Sequence, residues 1–223
     1  MHLQADNLTV ERGTRTVISN LSFTAQAGEA LLLVGPNGAG KTTLIRTLAG
    51  FIAPVSGTIS LKGDSANRDV AEVCHYVGHL TGIKANLTAE QNLAFWGEYL
   101  GGDRATLADR VDAALGDFGL AALADFPAGL LSAGQKRRLG LARLSIATRP
   151  IWLLDEPTVS LDAASTELLA RLIQQHLARD GLVIAATHLP LGLERPVYLR
   201  LGPSPGTSTT QSAGLPPVEG QQP

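Results

Sequence analysis

The spacing of apolar positions changes along the chain, and each change marks a different kind of element. Leu8 to Val10, then Thr16 to Phe23, alternate apolar and polar residues as half-buried antiparallel strands do. Ala30 to Val34 is apolar without interruption, which suits a central parallel strand. Lys41 to Leu48 reads as a helix stopped by Gly50 and Pro54, and two further strands are predicted at Gly57 to Leu61 and Val73 to Val77. From Thr88 the period becomes helical, opened by a capping box of Thr88 with Gln91. A second helix is expected from about Ala105 to Phe118, and a third starts at Ser132 with Gln135 three positions on. Ile151–Asp155, Ala163–Ala178 and Leu182–Ala186 then alternate strand, helix and strand, the order of a parallel α/β sheet. There is no internal repeat. The expectation is one domain over residues 1–201, with a helical subdomain at about 83–147 inserted into the sheet.

After Leu201 the pattern ends. Residues 202–223 are rich in Gly, Pro, Ser, Thr and Gln, with almost nothing to bury, so a disordered tail is expected there.

The apolar strand at Ala30 to Val34 runs directly into GPNGAGKTT, Gly35 to Thr43. Gly35, Gly38 and Gly40 permit backbone angles that let successive N–H groups turn inward, in a loop completed by Pro36, Asn37 and Ala39. Such a loop cradles phosphates, with the dipole of the following helix behind it. Lys41 supplies a charge for the β- and γ-phosphates, Thr42 a hydroxyl ligand for Mg²⁺, and Thr43 closes the motif. Asp155 ends an apolar strand, which places it at the carboxyl edge of the sheet, where it is expected to hold Mg²⁺ through water. Glu156 is the candidate base that activates or orients an attacking water. Between these motifs lies Leu131-Ser-Ala-Gly-Gln135, where Ser132, Gly134 and Gln135 open a helix with a hydroxyl, N–H groups and a dipole turned to an anion.

Composition narrows the setting. Hydrophobic residues at 44% indicate a folded globular chain, and a net charge of −2 gives no sign of a nucleic-acid surface. The single cysteine, Cys74, excludes an internal disulfide. No apolar run approaches the ~18–20 residues that span a bilayer, and the first residues do not read as a signal peptide. The expectation is a chain on the cytoplasmic side that reaches a membrane only through a partner.

The order phosphate loop, LSAGQ, LLDEP resembles the ATP-binding cassette (ABC) ATPases, a type of P-loop NTPase with a mostly parallel sheet core, an antiparallel β-subdomain and an inserted helical subdomain. That resemblance implies a homodimer that sandwiches ATP and Mg²⁺ between the phosphate loop of one copy and the LSxGQ segment of the other. It gives Asp162 a place at the dimer crossing, although Asp162 can equally cap the next helix. His188 matches the histidine that senses the γ-phosphate. The aromatic residue that usually stacks on adenine is missing from Glu11-Arg12-Gly13, so Arg12 is left to stack its guanidinium plane on the base. His79 stands where such proteins carry a glutamine that touches both Mg²⁺ and the membrane partner.

HYVGHLTGIKANLTAEQNLAFW, with LSAGQKRRLGLARL and the ATHLPLGLE ending, is similar to the ATP-binding subunits of cytochrome c maturation systems, the haem exporter type. The resemblance implies an ATPase peripheral to the cytoplasmic face of the bacterial inner membrane, beneath integral-membrane partner subunits, whose turnover drives release of a haem-loaded chaperone. An exporter for another substrate, or a soluble ABC ATPase, is the alternative; a P-loop kinase is disfavoured by LSAGQ and His188. Of the remaining candidates, Cys74-His75 reads as strand packing, His2 and His176 as surface residues, and Lys136-Arg137-Arg138 as a solvated helix face. Phe95, Trp96 and Tyr99 either pack the helical subdomain or line a groove for a partner helix.

Overall fold

The two alternating segments near the N-terminus form a hairpin, β1 (His2–Arg12) and β2 (Arg15–Gln26), longer than their apolar pattern alone marks. The computed structural model describes residues 1–63, 68–188, 191–202 and 210–212. β4 (Ser56–Lys62) pairs with the other edge of β1, which gives a three-stranded antiparallel sheet in the order β2-β1-β4. Its inward residues, Leu3, Ala5, Leu8, Val10, Ile18, Leu21 and Phe23, are buried against the rest of the domain, as period-two alternation requires.

The second sheet has β3 (Ala30–Val34), β5 (Cys74–Val77), β6 (Ile151–Asp155), β7 (Leu182–Ala186) and β8 (Val197–Arg200), in the order β5-β6-β7-β3-β8 and all parallel. The uninterrupted apolar runs follow from burial on both faces. In β3, Leu31 and Leu33 join the antiparallel sheet and α1 (Lys41–Leu48), while Ala30 and Leu32 join the helical side. In β6 the same split puts Ile151 and Leu153 on one face, Trp152 and Leu154 on the other. The helical side is built from α3 (Ala89–Tyr99), α4 (Leu107–Asp117), α5 (Ala133–Ile146) and α6 (Ala163–Leu177). Both predicted capping boxes are formed: Thr88 Oγ1 accepts from Gln91 N at 3.1 Å, and Ser132 Oγ from Gln135 N at 3.2 Å, each with its reciprocal bond.

Four features depart from the sequence-based expectations. Val73 closes a short helical turn, α2 (Val70–Val73), so the following strand starts at Cys74. β8 lies where no strand is expected; its four residues pair with β3 and put Val197 and Leu199 on the side of the antiparallel sheet and Tyr198 on the helical side. Thr210–Ser212, inside the expected tail, make a short strand β9 antiparallel to β8, since an open sheet edge accepts any extended backbone; residues 203–209 and 213–223 lie outside the described residues. His176 is no surface residue: its ring stacks on Trp152 of β6 at 4.0 Å and 7° between planes, and burial pulls its pKa down to about 4.

Cys74 and His75 do pack in the sheet. Burial pushes the Cys74 thiol up to about 11 and His75 down to about 4, and His75 Nε2 pairs with the Ala147 carbonyl at 2.7 Å. In the folded state His75 stays neutral, whereas the unfolded chain binds a proton below the usual histidine value. Stability is therefore full above about pH 6.5 and declines as pH falls towards 4, by about 2 kcal/mol at pH 5 for His75 alone. Urea unfolding at pH 7 and pH 5 should show that loss, and His75→Leu should reduce it; a pH-independent midpoint would contradict it.

Candidate functional site

The registers bring the carboxyl ends of four strands level. Leu33 pairs with Ala186, Asp155 with Ala186, and Val77 with Leu154, so Val34-Gly35, Gly78-His79, Asp155-Glu156 and Thr187-His188 leave the sheet on one edge. Ligands of open α/β sheets bind at such an edge.

After β3 the chain turns sharply at Gly35, whose φ is 142°. A Cβ there would lie 2.0 Å from the Leu201 carbonyl oxygen, so only glycine fits. Gly40, at φ 101°, is the N-cap of α1 and offers no side-chain bond to its first N–H groups. Those donors and the helix dipole remain directed at an incoming anion. Lys41 is buried and donates from Nζ to the carbonyls of Gly35 at 2.6 Å and Pro36 at 3.1 Å. Burial lowers its pKa, while the carboxylates of Glu156 and Asp155 act in the opposite direction.

Thr42 Oγ1 donates to Asp155 Oδ1 at 2.9 Å, which unites the two residues named as metal ligands. Both are hard oxygen donors, and a site of one carboxylate and one hydroxyl completed by phosphate and water suits Mg²⁺. Glu156 follows in a left-handed backbone conformation, φ 49°, with its N–H on the Ala186 carbonyl at 2.8 Å. His188 Nε2 lies 3.4 Å from Glu156 Oε1, and both are partly exposed. A cavity of about 880 Å³ opens over these groups. The phosphate loop, Arg12, His79, Glu156 and His188 all line it.

The family model for ABC transporters matches residues 18–159. A cytochrome c biogenesis ATP-binding export protein (CcmA) of Rhodopseudomonas palustris strain BisB5 is 51% identical over 86% of this chain and 94% of its own length. The CcmA of Agrobacterium fabrum is 42% identical over 94% of this chain and 99% of its own. The chain belongs to the CcmA group of the ABC transporter family. Solved structures share its fold. An ATP-binding subunit of an ABC transporter superposes with a TM-score of 0.80 at 22% identity, covering 94% of this chain and 90% of that one. The cassette MJ0796, described as a dimer in a post-hydrolysis state bound to ADP and Pi, gives 0.77 at 20%, covering 96% and 100%.

In this CcmA-group chain, Ser132, Gly134 and Gln135 do not line the cavity; they open α5 apart from it, with Ser132 and Gln135 engaged in their capping box. Asp162 is the N-cap of α6, its Oδ1 accepting from Ser165 N at 2.8 Å; hydrogen bonding from the Ser165 side chain, then from its backbone, holds the carboxyl below the usual range. Arg15, Val17, Arg46 and Val159 also line the cleft, and the sequence offered no motif for them. Arg137 corrects the reading of the Lys136–Arg138 triplet as a solvated face, because it is buried, at 5% exposure. Its signal was the helical spacing of Arg137, Gly140, Leu141 and Leu144, all buried on α5. Of the three aromatics, Trp96 packs under the Arg143 guanidinium at 4.4 Å, while Phe95 and Tyr99 face outward, stacked 6.2 Å apart.

Proposed function

We propose that this chain is the ATP-hydrolysing subunit of an ABC complex for cytochrome c biogenesis, peripheral to the cytoplasmic face of the inner membrane and coupled to haem handling by integral-membrane partners. The observation that carries the reading is the meeting of Lys41, Thr42, Asp155, Glu156 and His188 at one sheet edge, beneath a phosphate-binding loop. Residues Asn37 to Thr43, which line the cavity, wrap the phosphates with backbone N–H groups, and Lys41 exchanges its loop carbonyls for phosphate oxygens. Arg12, on the cavity wall, stacks on the base. Thr42 and Asp155 would hold Mg²⁺, which would supply charge neutralisation for the phosphates. Glu156 orients the attacking water and takes up its proton, and His188 steers the carboxylate. Ser132, Gly134 and Gln135 lie outside this cavity, which supports a homodimer in which they serve the second copy's nucleotide, with Asp162 at the crossing.

No helix among the described residues is long and apolar enough to cross a membrane, and in this reading an integral-membrane partner holds the chain there. The joint for that partner is His79, on the cavity wall, with exposed Leu80 next to it in sequence. The test is expression in a bacterial strain lacking its own CcmA. The wild-type chain should sediment with membranes and restore holocytochrome c. His79→Ala should keep ATP binding yet lose most of the ATPase stimulation by the membrane complex, and His79→Gln should retain it. A chain that stays in the soluble fraction and restores no cytochrome would reject the assignment.

A further inference from the structure

Glu156 occupies a backbone conformation that a residue with a side chain adopts only under constraint, and such strain persists only where neighbours over-determine it. Three groups do so. The Ala186 carbonyl holds its N–H, and its carbonyl accepts from the Val159 N–H at 3.3 Å and, more closely, from a guanidinium of α5. That guanidinium belongs to Arg137. Its Nη2 donates to the carbonyls of Glu156 at 2.5 Å and Asp155 at 3.2 Å, its Nε to Pro157 at 3.1 Å, and its Nη1 to Gly78 at 2.7 Å. One planar group thus satisfies four carbonyls on two segments, the Asp155–Pro157 turn and the exit of β5. Burying a guanidinium is costly, and burial depresses its pKa while Asp155 and Glu156 oppose that shift. A helix face needs no such group for packing; Gly140 one turn later sits so close to Thr81 that a Cβ would meet its side chain at 2.8 Å.

We infer that Arg137 is a positioning residue for hydrolysis, fixing the left-handed turn at Glu156 and thereby the aim of its carboxylate, and tying that turn to Gly78 beside His79 and to the helix that Ser132 opens. The inference rests on the role proposed for Glu156. It predicts an effect on turnover with little effect on nucleotide affinity, because Arg137 contacts carbonyls and lies outside the lining of the phosphate site.

The experiment is a double-mutant cycle on the full chain with Mg-ATP, measuring single-turnover hydrolysis, the Kd of a fluorescent ATP analogue and the melting temperature. Arg137→Gln should lower the hydrolysis rate by about 10- to 100-fold, the range expected when a reacting group is displaced by about an ångström. Its nucleotide Kd should remain within about twofold of wild type. Arg137→Lys keeps the charge but not the fork, and should fall between the two. In a Glu156→Gln background, adding Arg137→Gln should cause no further loss, since the arginine acts through that carboxylate. Hydrolysis within twofold of wild type in Arg137→Gln overturns the inference, and so does a loss that multiplies with that of Glu156→Gln. Should Arg137→Gln not fold, the same cycle run with Arg137→Lys decides by the same two criteria. Normal turnover in Glu156→Gln alone would instead reject the role given to Glu156, a separate outcome.

Discussion

Glu156→Gln is expected to bind ATP as the wild type does and to hydrolyse it roughly 10²-fold or more slowly. The amide is isosteric, so the left-handed turn, the bond to Ala186 and the guanidinium of Arg137 all survive. The ability to accept a proton from water is lost, and with it the charge that faces His188 at 3.4 Å. Lys41 and the Thr42–Asp155 pair, to which the proposed reading assigns the phosphates and metal, are untouched. Binding and turnover therefore separate in this variant. A stalled site should also retain the second subunit, so light scattering at saturating ATP and Mg²⁺ should show dimers that the wild type holds only briefly. Turnover within a few fold of wild type would remove Glu156 from the catalytic role, and a monomer at saturating ATP would count against the sandwich.

The parts of this site that were legible in sequence are those specified by local chemistry. A glycine-rich loop after an apolar strand has few other uses, and Thr88/Gln91 and Ser132/Gln135 announce helix starts within four residues. The parallel strands were legible because burial on both faces leaves an uninterrupted apolar run. What escaped depends on distant partners. Arg137 carries the same charge as its solvated neighbour Lys136, and only the carbonyls of Gly78 and residues 155–157 distinguish it. His176 gained its burial from Trp152, 24 positions (176 − 152) away in sequence. The three-residue β9 is an edge strand, held by backbone pairing that imposes almost no pattern on side chains, and β8 beside it has only four residues, too few for its alternation to stand out. Arg12 was found only through the resemblance to a family, and the cavity wall gives it a physical place.

Mixing two inactive variants should restore activity if each ATP is held by two copies. Lys41→Ala removes the buried cation that the loop holds ready at the carbonyls of Gly35 and Pro36, and so weakens nucleotide binding at its own phosphate loop, leaving its LSAGQ segment whole. Gly134→Asp does the reverse. It places a carboxylate in the first turn of α5, where a helix tolerates negative charge well, but where an arriving γ-phosphate would be repelled. A Cβ at that position meets the Ser160 carbonyl oxygen at 3.2 Å, close enough to need only a small shift of that loop. Each variant alone should hydrolyse ATP at a few per cent of the wild-type rate or less. In an equal mixture, random pairing makes about half of the dimers mixed, and each mixed dimer carries one intact composite site; the expected rate is about a quarter of wild type. Hydrolysis confined to one chain predicts no such gain, because the mixture would then be the mean of two inactive proteins. Near-normal turnover by Gly134→Asp alone would show that the LSAGQ segment does not serve a second nucleotide, and would leave the cleft at the sheet edge to act by itself.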